Sequence, residues 1–294
     1  MVEKKELKRE ISFKVPVDMY AKYKRYCDSQ GVMPAVDLRR YITERATSSY
    51  VFGERVTFFA LNMHMKNIER YSVPYDGDED QRIDEIADYI IASHSDVACL
   101  SEFMPTEKGK RLVERLENAG YTIHYPVSDM DYERAKNLWC VTILAIKNDR
   151  GLKFEQIYDT NEMFPQYRYV AGVLSKGSSS IVIVGVHVPC VDDDTNPYQV
   201  DRKEKSLAYL KELKDLYSSK QVLFFGDFNE TFEGKDIFDD MIDVTGKKAT
   251  WDKYGIDKFL VTQELSSHCK GSAVIDHPVI QNLTDHCAIR MNLD

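Results

Sequence analysis

Val222-Leu223-Phe224-Phe225-Gly226-Asp227-Phe228-Asn229-Glu230 is the stretch whose reading decides the fold. Four consecutive apolar residues read as a strand. The glycine closes the run, and a carboxylate and an amide, Asp227 and Asn229, leave the strand end together. Near the C-terminus the device recurs, with Thr284-Asp285-His286 directly before the apolar Cys287-Ala288-Ile289. Carboxylates, amides and imidazoles carried by the ends of buried strands are the groups a metal-assisted hydrolase needs.

Outward from these two junctions, residues 55–294 alternate strands with helices. Strands are expected at Val56–Leu61, Val97–Leu100, Val141–Ile146, Tyr169–Leu174, Ile181–Val188, Val222–Phe225, Lys258–Val261 and Cys287–Met291. Apolar residues at helical spacing predict helices over Asp80–His94, Glu107–Ala119 and Asp201–Ser218. Most of the strands end in a polar residue: Asn62 after Leu61, Glu102 after Leu100-Ser101, His187 within Val186-His187-Val188, and Asp257 before Lys258. Singly these have ordinary explanations as a turn residue, a helix-start carboxylate, a core histidine or a loop cap. Together they can converge on one rim of a sheet sandwich.

With 294 residues, the chain has room for one large enzyme domain and a small module. Its 43% hydrophobic and 30% charged content fits a globular protein. No apolar run approaches the roughly 20 residues of a membrane span, and Met1-Val2-Glu3-Lys4-Lys5 lacks a signal-peptide core, so a cytoplasmic, membrane-free protein is expected. The six cysteines, Cys27, Cys99, Cys140, Cys190, Cys269 and Cys287, have no CxxC spacing and read as buried, reduced thiols. Residues 1–50 hold 11 Lys/Arg against 7 Asp/Glu, a balance of +4, and the remainder holds 28 against 41, a balance of −13. An acidic body repels nucleic acid at long range, so nucleic-acid chemistry here calls for cations, a basic groove or help from the head.

The head reads strand, helix, helix. Ile11, Phe13 and Val15 alternate with Ser12 and Lys14; Asp18 can cap a helix carrying Tyr20, Tyr23, Tyr26 and Cys27; Pro34 suits the start of a second. This pattern, over residues 9–46, resembles a ribbon-helix-helix DNA-binding module. The resemblance implies an antiparallel pairing of strands from two chains, hence a homodimer, with Glu10, Ser12 and Lys14 facing base edges. A lone strand leaves its ladder unpaired, which favours the dimer. A helical appendage that binds nothing is the alternative. The expected organisation is a head at 1–48, a linker at 49–53 and a body at 54–294.

The body resembles the endonuclease/exonuclease/phosphatase superfamily, on Leu61-Asn62, Cys99-Leu100-Ser101-Glu102, Gly226-Asp227-Phe228-Asn229, Ile256-Asp257-Lys258-Phe259 and Thr284-Asp285-His286 in that order. That implies an α/β fold of α+β type, a four-layered αββα sandwich of two packed mixed sheets. It also implies a phosphodiesterase in which Glu102, with Asn62 and Asp285, holds Mg²⁺ or Mn²⁺. Asp227 would orient or deprotonate the attacking water, with Asn229 beside it donating to the phosphoryl oxygens. His286, held by Asp257, would contact the scissile phosphate; His187 would serve the leaving oxygen, and Arg168 would bind a phosphate. Ser101 stands where the superfamily usually has glutamine. His64 replaces an acidic residue of the abasic-site enzymes and reads as a surface histidine at a strand end. Asp192-Asp193-Asp194 reads as a solvated loop.

The expected activity is a divalent-cation-dependent endonuclease acting on DNA. Hydrolysis of a small phosphorylated metabolite or lipid head group, and a DNA-binding regulator with an inactive body, are the alternatives.

Overall fold

A computed structural model describes residues 20–25, 34, 51–65, 78–126, 141–157, 166–232, 238, 240–246 and 248–294. The chain divides into two compact units, Met1–Ser49 and Tyr50–Asp294. In the first, residues 20–25 are helical, and Tyr23 Oη donates to the Pro34 carbonyl at 3.1 Å. The strand expected to carry Glu10, Ser12 and Lys14 lies outside the described residues.

Packing of the second unit starts inside the stretch expected as a linker. Val51 N–H donates to the Asp294 carbonyl at 3.1 Å, and Phe52 is buried in the core between the sheets. An aromatic ring at that position gains more by burial than a tether would by staying free.

Two six-stranded mixed sheets form the body. One contains β1 (Val56–Asn62), β2 (Val97–Phe103), β3 (Tyr121–His124), β4 (Val141–Lys147), β11 (Cys269–Ile275) and β12 (Ala288–Leu293), in the order β11-β12-β1-β2-β4-β3. The other contains β5 (Lys153–Ile157), β6 (Tyr169–Lys176), β7 (Ser179–His187), β8 (Val222–Asp227), β9 (Met241–Asp243) and β10 (Asp257–Thr262), in the order β5-β6-β7-β8-β10-β9. Helices α1 (Glu79–Ala92) and α2 (Glu107–Asn118) cover the first sheet, and α3 (Pro197–Leu216) covers the second; α4 (Gln263–Ser266) and α5 (Pro278–Gln281) are single turns.

The alternation of strand side chains accounts for the layers. On β1, Val56, Phe58 and Ala60 enter the core between the sheets, while Phe59 and Leu61 pack against Ile83, Ile86 and Leu112 of the helices. On β8, Leu223 and Phe225 face the first sheet, and Phe224 packs with Leu207 and Leu210 of α3. Burial on both faces is why these strands read as unbroken apolar runs. Among the described residues no helix is long and apolar enough to cross a membrane.

Each sheet has a parallel pair at its centre, β1 with β2 and β7 with β8, flanked by an antiparallel neighbour, β12 and β10. The C-terminal ends of the parallel strands and the N-terminal ends of β10 and β12 therefore share one edge. Crevices beyond the carboxyl ends of parallel strands are where such sheets bind ligands.

Candidate active site

Strand register sets the spacing at that edge. In the second sheet, His187 ends β7 opposite Asp227 at the end of β8, and Asp257 at the start of β10 faces Asp227 from the other side. In the first, Asn62 ends β1 beside Ser101 of β2, one residue before Glu102. The sheets join through Asn62 Nδ2, which donates to Asp227 Oδ2 at 2.9 Å.

Asp227 is 1% exposed and fully engaged. Its Oδ1 accepts from Asn229 N–H at 2.8 Å, and Oδ2 accepts from Asn229 Nδ2 at 3.2 Å as well as from Asn62. Asn229 sits in the left-handed region at φ 49°, which folds its amide back onto Asp227 and onto the Val188 carbonyl, 2.9 Å away. Burial, with the charge of Asp257 added, raises the Asp227 carboxyl to about 7, although His286 and the two amides act the other way.

Asp257 and His286 form a buried pair, 2% and 6% exposed, with Oδ2 and Nδ1 2.9 Å apart. Burial opposes charging of His286, yet Asp257, with Asp227 and Asp285 behind it, raises the imidazole to about 10. A ligand atom from each of Asp227, Asp257 and His286 falls within a 4.8 Å cluster, a spacing that could suit an ion. His286 Nδ1 is already paired with Asp257 Oδ2 at 2.9 Å, so that nitrogen reaches an ion only by giving up its carboxylate partner.

Glu102 occupies a β-bulge, where β2 slips register against β4 between Leu100 and Phe103, and its backbone is left-handed at φ 55°. Bulges and left-handed non-glycine residues are strained features that cluster at functional sites. Glu102 Oε1 lies 3.7 Å from His187 Nε2, and Oε2 is buried with no hydrogen-bond partner among the described residues. Leaving such an oxygen unsatisfied is unfavourable unless a cation completes it. Glu102 thus offers a free oxygen to a hard divalent ion, beside Asn62, whose Oδ1 accepts from His64 N–H at 3.0 Å and has a second lone pair left.

Asp285 differs from expectation in what it touches. Its Oδ1 is 3.0 Å from His64 Nδ1 and its Oδ2 accepts from Trp251 Nε1 at 3.1 Å, so both oxygens already have protein partners. Burial pushes this carboxyl up, but His64, His286 and Trp251 outweigh it and hold it at about 2. His64, expected at the surface, is buried: a left-handed turn at φ 49° folds it back onto Asp285. Arg168 is buried at the start of β6, with Nη1 3.2 Å from His187 Nδ1.

Asn62, Glu102, Arg168, His187, Asp227, Asn229, Asp285 and His286 line one cavity of about 470 Å³, and Asp257 lies behind His286. The cavity also takes Tyr198, Gln199 and Arg202 from the first turns of α3, and Trp251. None of these four was expected. The one signal for Tyr198 and Gln199 is Asn196-Pro197, a cap and first-turn proline that start the helix at 197 instead of 201. Asp192, Asp193 and Asp194 are exposed. Of the described cysteines, all free, Cys99 is buried and Cys190 is exposed at the cavity mouth, contrary to expectation.

Solved structures share this two-sheet sandwich fold. A humanized D. rerio TDP2 carrying 14 mutations aligns at TM-score 0.60 and 15% identity, over 82% of this chain and 99% of that one. An AP endonuclease from Archaeoglobus fulgidus aligns at 0.59 and 15% identity, over 81% and 99%. The endonuclease domain of TRAS1, a telomere-specific non-LTR retrotransposon, aligns at 0.53 and 14% identity, over 82% and 98%. No sequence-family profile and no curated protein matches the chain.

Proposed function

We propose that the body is a divalent-cation-dependent phosphodiesterase that cuts DNA as an endonuclease, and that the N-terminal unit pairs two chains and recruits the DNA. The observation that carries the catalytic reading is the convergence of Asn62, Glu102, His187, Asp227, Asn229 and His286 on one cavity. Glu102 and Asn62 would hold Mg²⁺ or Mn²⁺, with Asp285 alongside. When bound, the ion supplies Lewis-acid polarisation of the phosphoryl oxygen.

The side chains supply the rest. Asp227, poised to exchange a proton near neutrality, orients the attacking water and takes its proton. Asn229, fixed by Asp227 and Val188, positions the phosphoryl group. His286 keeps Nε2 as its remaining ring nitrogen and donates to the oxygens that gain charge, while Asp257 holds the ring in orientation. His187 serves the leaving oxygen, and the neighbouring Arg168 neutralises a phosphate charge.

That the solved structures sharing the fold include enzymes named as endonucleases supports DNA as the substrate. The balance of −13 on the body favours the second reading, a small phosphoester. Incubating the full chain with plasmid, duplex, RNA and a panel of phosphomonoesters, with Mg²⁺ or Mn²⁺ and an Asp227→Ala control, separates them. Cation-dependent cutting of DNA that the control lacks is expected; intact nucleic acid throughout refutes the nuclease reading. For the head, Lys14→Ala is expected to weaken DNA binding, and a monomeric mass in solution would refute the pairing.

A further inference from the structure

We propose that Arg82 is a positioning residue: its guanidinium ties the backbone arm that carries Asn62 to the arm that carries Thr284-Asp285-His286, and so sets how the cation side of the cavity faces the phosphate side. This rests on the phosphodiesterase reading and adds to it a residue that acts from behind the site.

The sheet does not join these arms. The ladder between β1 and β12 stops at Ala60 and Ile289, and beyond it the first arm follows β2, with Met63 N–H donating to the Ser101 carbonyl at 3.1 Å. The second arm is anchored elsewhere: Thr284 N–H donates to the Ile280 carbonyl at 3.0 Å, and Cys287 N–H to the Thr250 carbonyl at 2.7 Å. Side chains therefore close the gap. Thr284 Oγ1 donates to the Asn62 carbonyl at 2.7 Å, and His64 Nδ1 lies 3.0 Å from Asp285 Oδ1.

Arg82 adds a tie that runs from backbone to backbone. It stands in the first turn of α1 and is 2% exposed. Its Nε donates to the Leu283 carbonyl at 2.7 Å while Nη2 donates to the Met63 carbonyl at 2.8 Å. These two nitrogens form one edge of a rigid planar fork, so the carbonyls are held at a spacing the side chain cannot vary. Met63 directly follows Asn62, and Leu283 is three residues before His286. Both arms are thus gripped next to the groups that do the chemistry.

Packing alone does not call for a cation here. The other buried side chains of α1 include Ile83, Ile86, Ala87 and Ile90, and an apolar residue at the same depth would avoid the desolvation of a charge. The pairing of Arg82 with Glu79 is loose, at 3.9 Å from Nη1 to Oε2, whereas both carbonyl contacts are short. A buried charge spent on two backbone carbonyls is better suited to fixing geometry than to adding stability. Geometry matters at this place, because a shift of about 1 Å between reacting groups can cost about a hundredfold in rate.

Two measurements on the full chain with Mn²⁺ test the assignment, each made well below the Tm of the variant. Arg82→Lys keeps the charge and replaces the fork by a point donor. Ile86→Val loosens α1 without touching either arm. With bis-p-nitrophenyl phosphate as the probe, Arg82→Lys is expected to lower kcat at least about tenfold with KM changed by less than about twofold, and Ile86→Val to keep both. Hydrogen exchange read by mass spectrometry needs no turnover. In Arg82→Lys, peptides covering Asn62–His64 and Leu283–Cys287 are expected to exchange at least about tenfold faster, and those of β7 and β8 at the unmodified rate. If Arg82→Lys does not fold, Arg82→Gln, which keeps a donor without a buried charge, meets the same expectations. An unchanged kcat, an equal loss in Ile86→Val, or faster exchange confined to α1 overturns the positioning role; so does failure of both Arg82 variants to fold, which makes Arg82 a folding residue. Absence of hydrolysis by the unmodified chain overturns the phosphodiesterase reading alone, because exchange in the two arms still reports the tie.

Discussion

Replacing Asp257 by asparagine keeps its shape and removes the charge that faces His286 2.9 Å away in a buried site. Removing one partner of a buried ion pair costs about 3–5 kcal/mol, because the other charge is left uncompensated. The size of the loss depends on pH, and its sign follows from the imidazole. His286 titrates at about 10 in the folded chain, above its ordinary 6.5. Its contribution to stability is thus fully present below about 6.5 and is lost as pH rises through about 10. In Asp257→Asn the main influence raising His286 is gone, and burial, which lowers it, takes over. The variant should therefore be destabilised by about 3–5 kcal/mol at pH 6 and by progressively less toward pH 10. Urea unfolding at several pH values, followed by tryptophan fluorescence, measures the difference between the two proteins. A difference that stays constant with pH, or widens as pH rises, refutes the assignment of a buried imidazolium held by Asp257.

Three further outcomes are expected. Glu102→Gln should abolish the rise in Tm that Mn²⁺ produces in the unmodified chain, about 2.7 kcal/mol of stabilisation at a hundredfold excess over Kd; a retained rise places the ion elsewhere. Gly226→Ala should fail to accumulate as folded protein, because the glycine has φ 131° and an added Cβ would stand 2.2 Å from the Val186 carbonyl oxygen, a backbone atom that has little freedom to move; normal yield and Tm contradict that packing. Lys203 Nζ donates to the Asn229 carbonyl at 2.6 Å and lies 3.1 Å from Glu230 Oε2, bracing the left-handed turn that carries Asn229. Lys203→Met should lower kcat with KM little changed, and Lys203→Arg should recover part of it; equal kcat in both variants and the parent contradicts the brace.

The central strands were legible because they are buried on both faces, and so were Asn62, Glu102, His187, Asp227, Asp257 and His286, which interrupt those apolar runs at their ends. The four strands with no clear signature, β3, β5, β9 and β11, are the four sheet edges. Edge strands are covered on fewer sides and carry polar residues, as in Lys153-Phe154-Glu155-Gln156, so neither an apolar run nor a clean alternation marks them. Within the site, legibility fails where position depends on turns. His64 and Trp251 reach Asp285 through a left-handed residue and a hairpin, and neither has a periodic signature. Tyr198 and Gln199 reach the cavity because α3 begins a turn earlier than its apolar spacing implies.

The central claim is that strand ends from both sheets build one pocket that binds a divalent ion and hydrolyses a phosphate ester. Anomalous diffraction from crystals soaked in Mn²⁺ tests it most directly. A single strong peak against the Glu102 carboxylate, on the side of Asn62, is the predicted result. A cavity without a peak, or manganese only on exposed carboxylates away from the cavity, would contradict it.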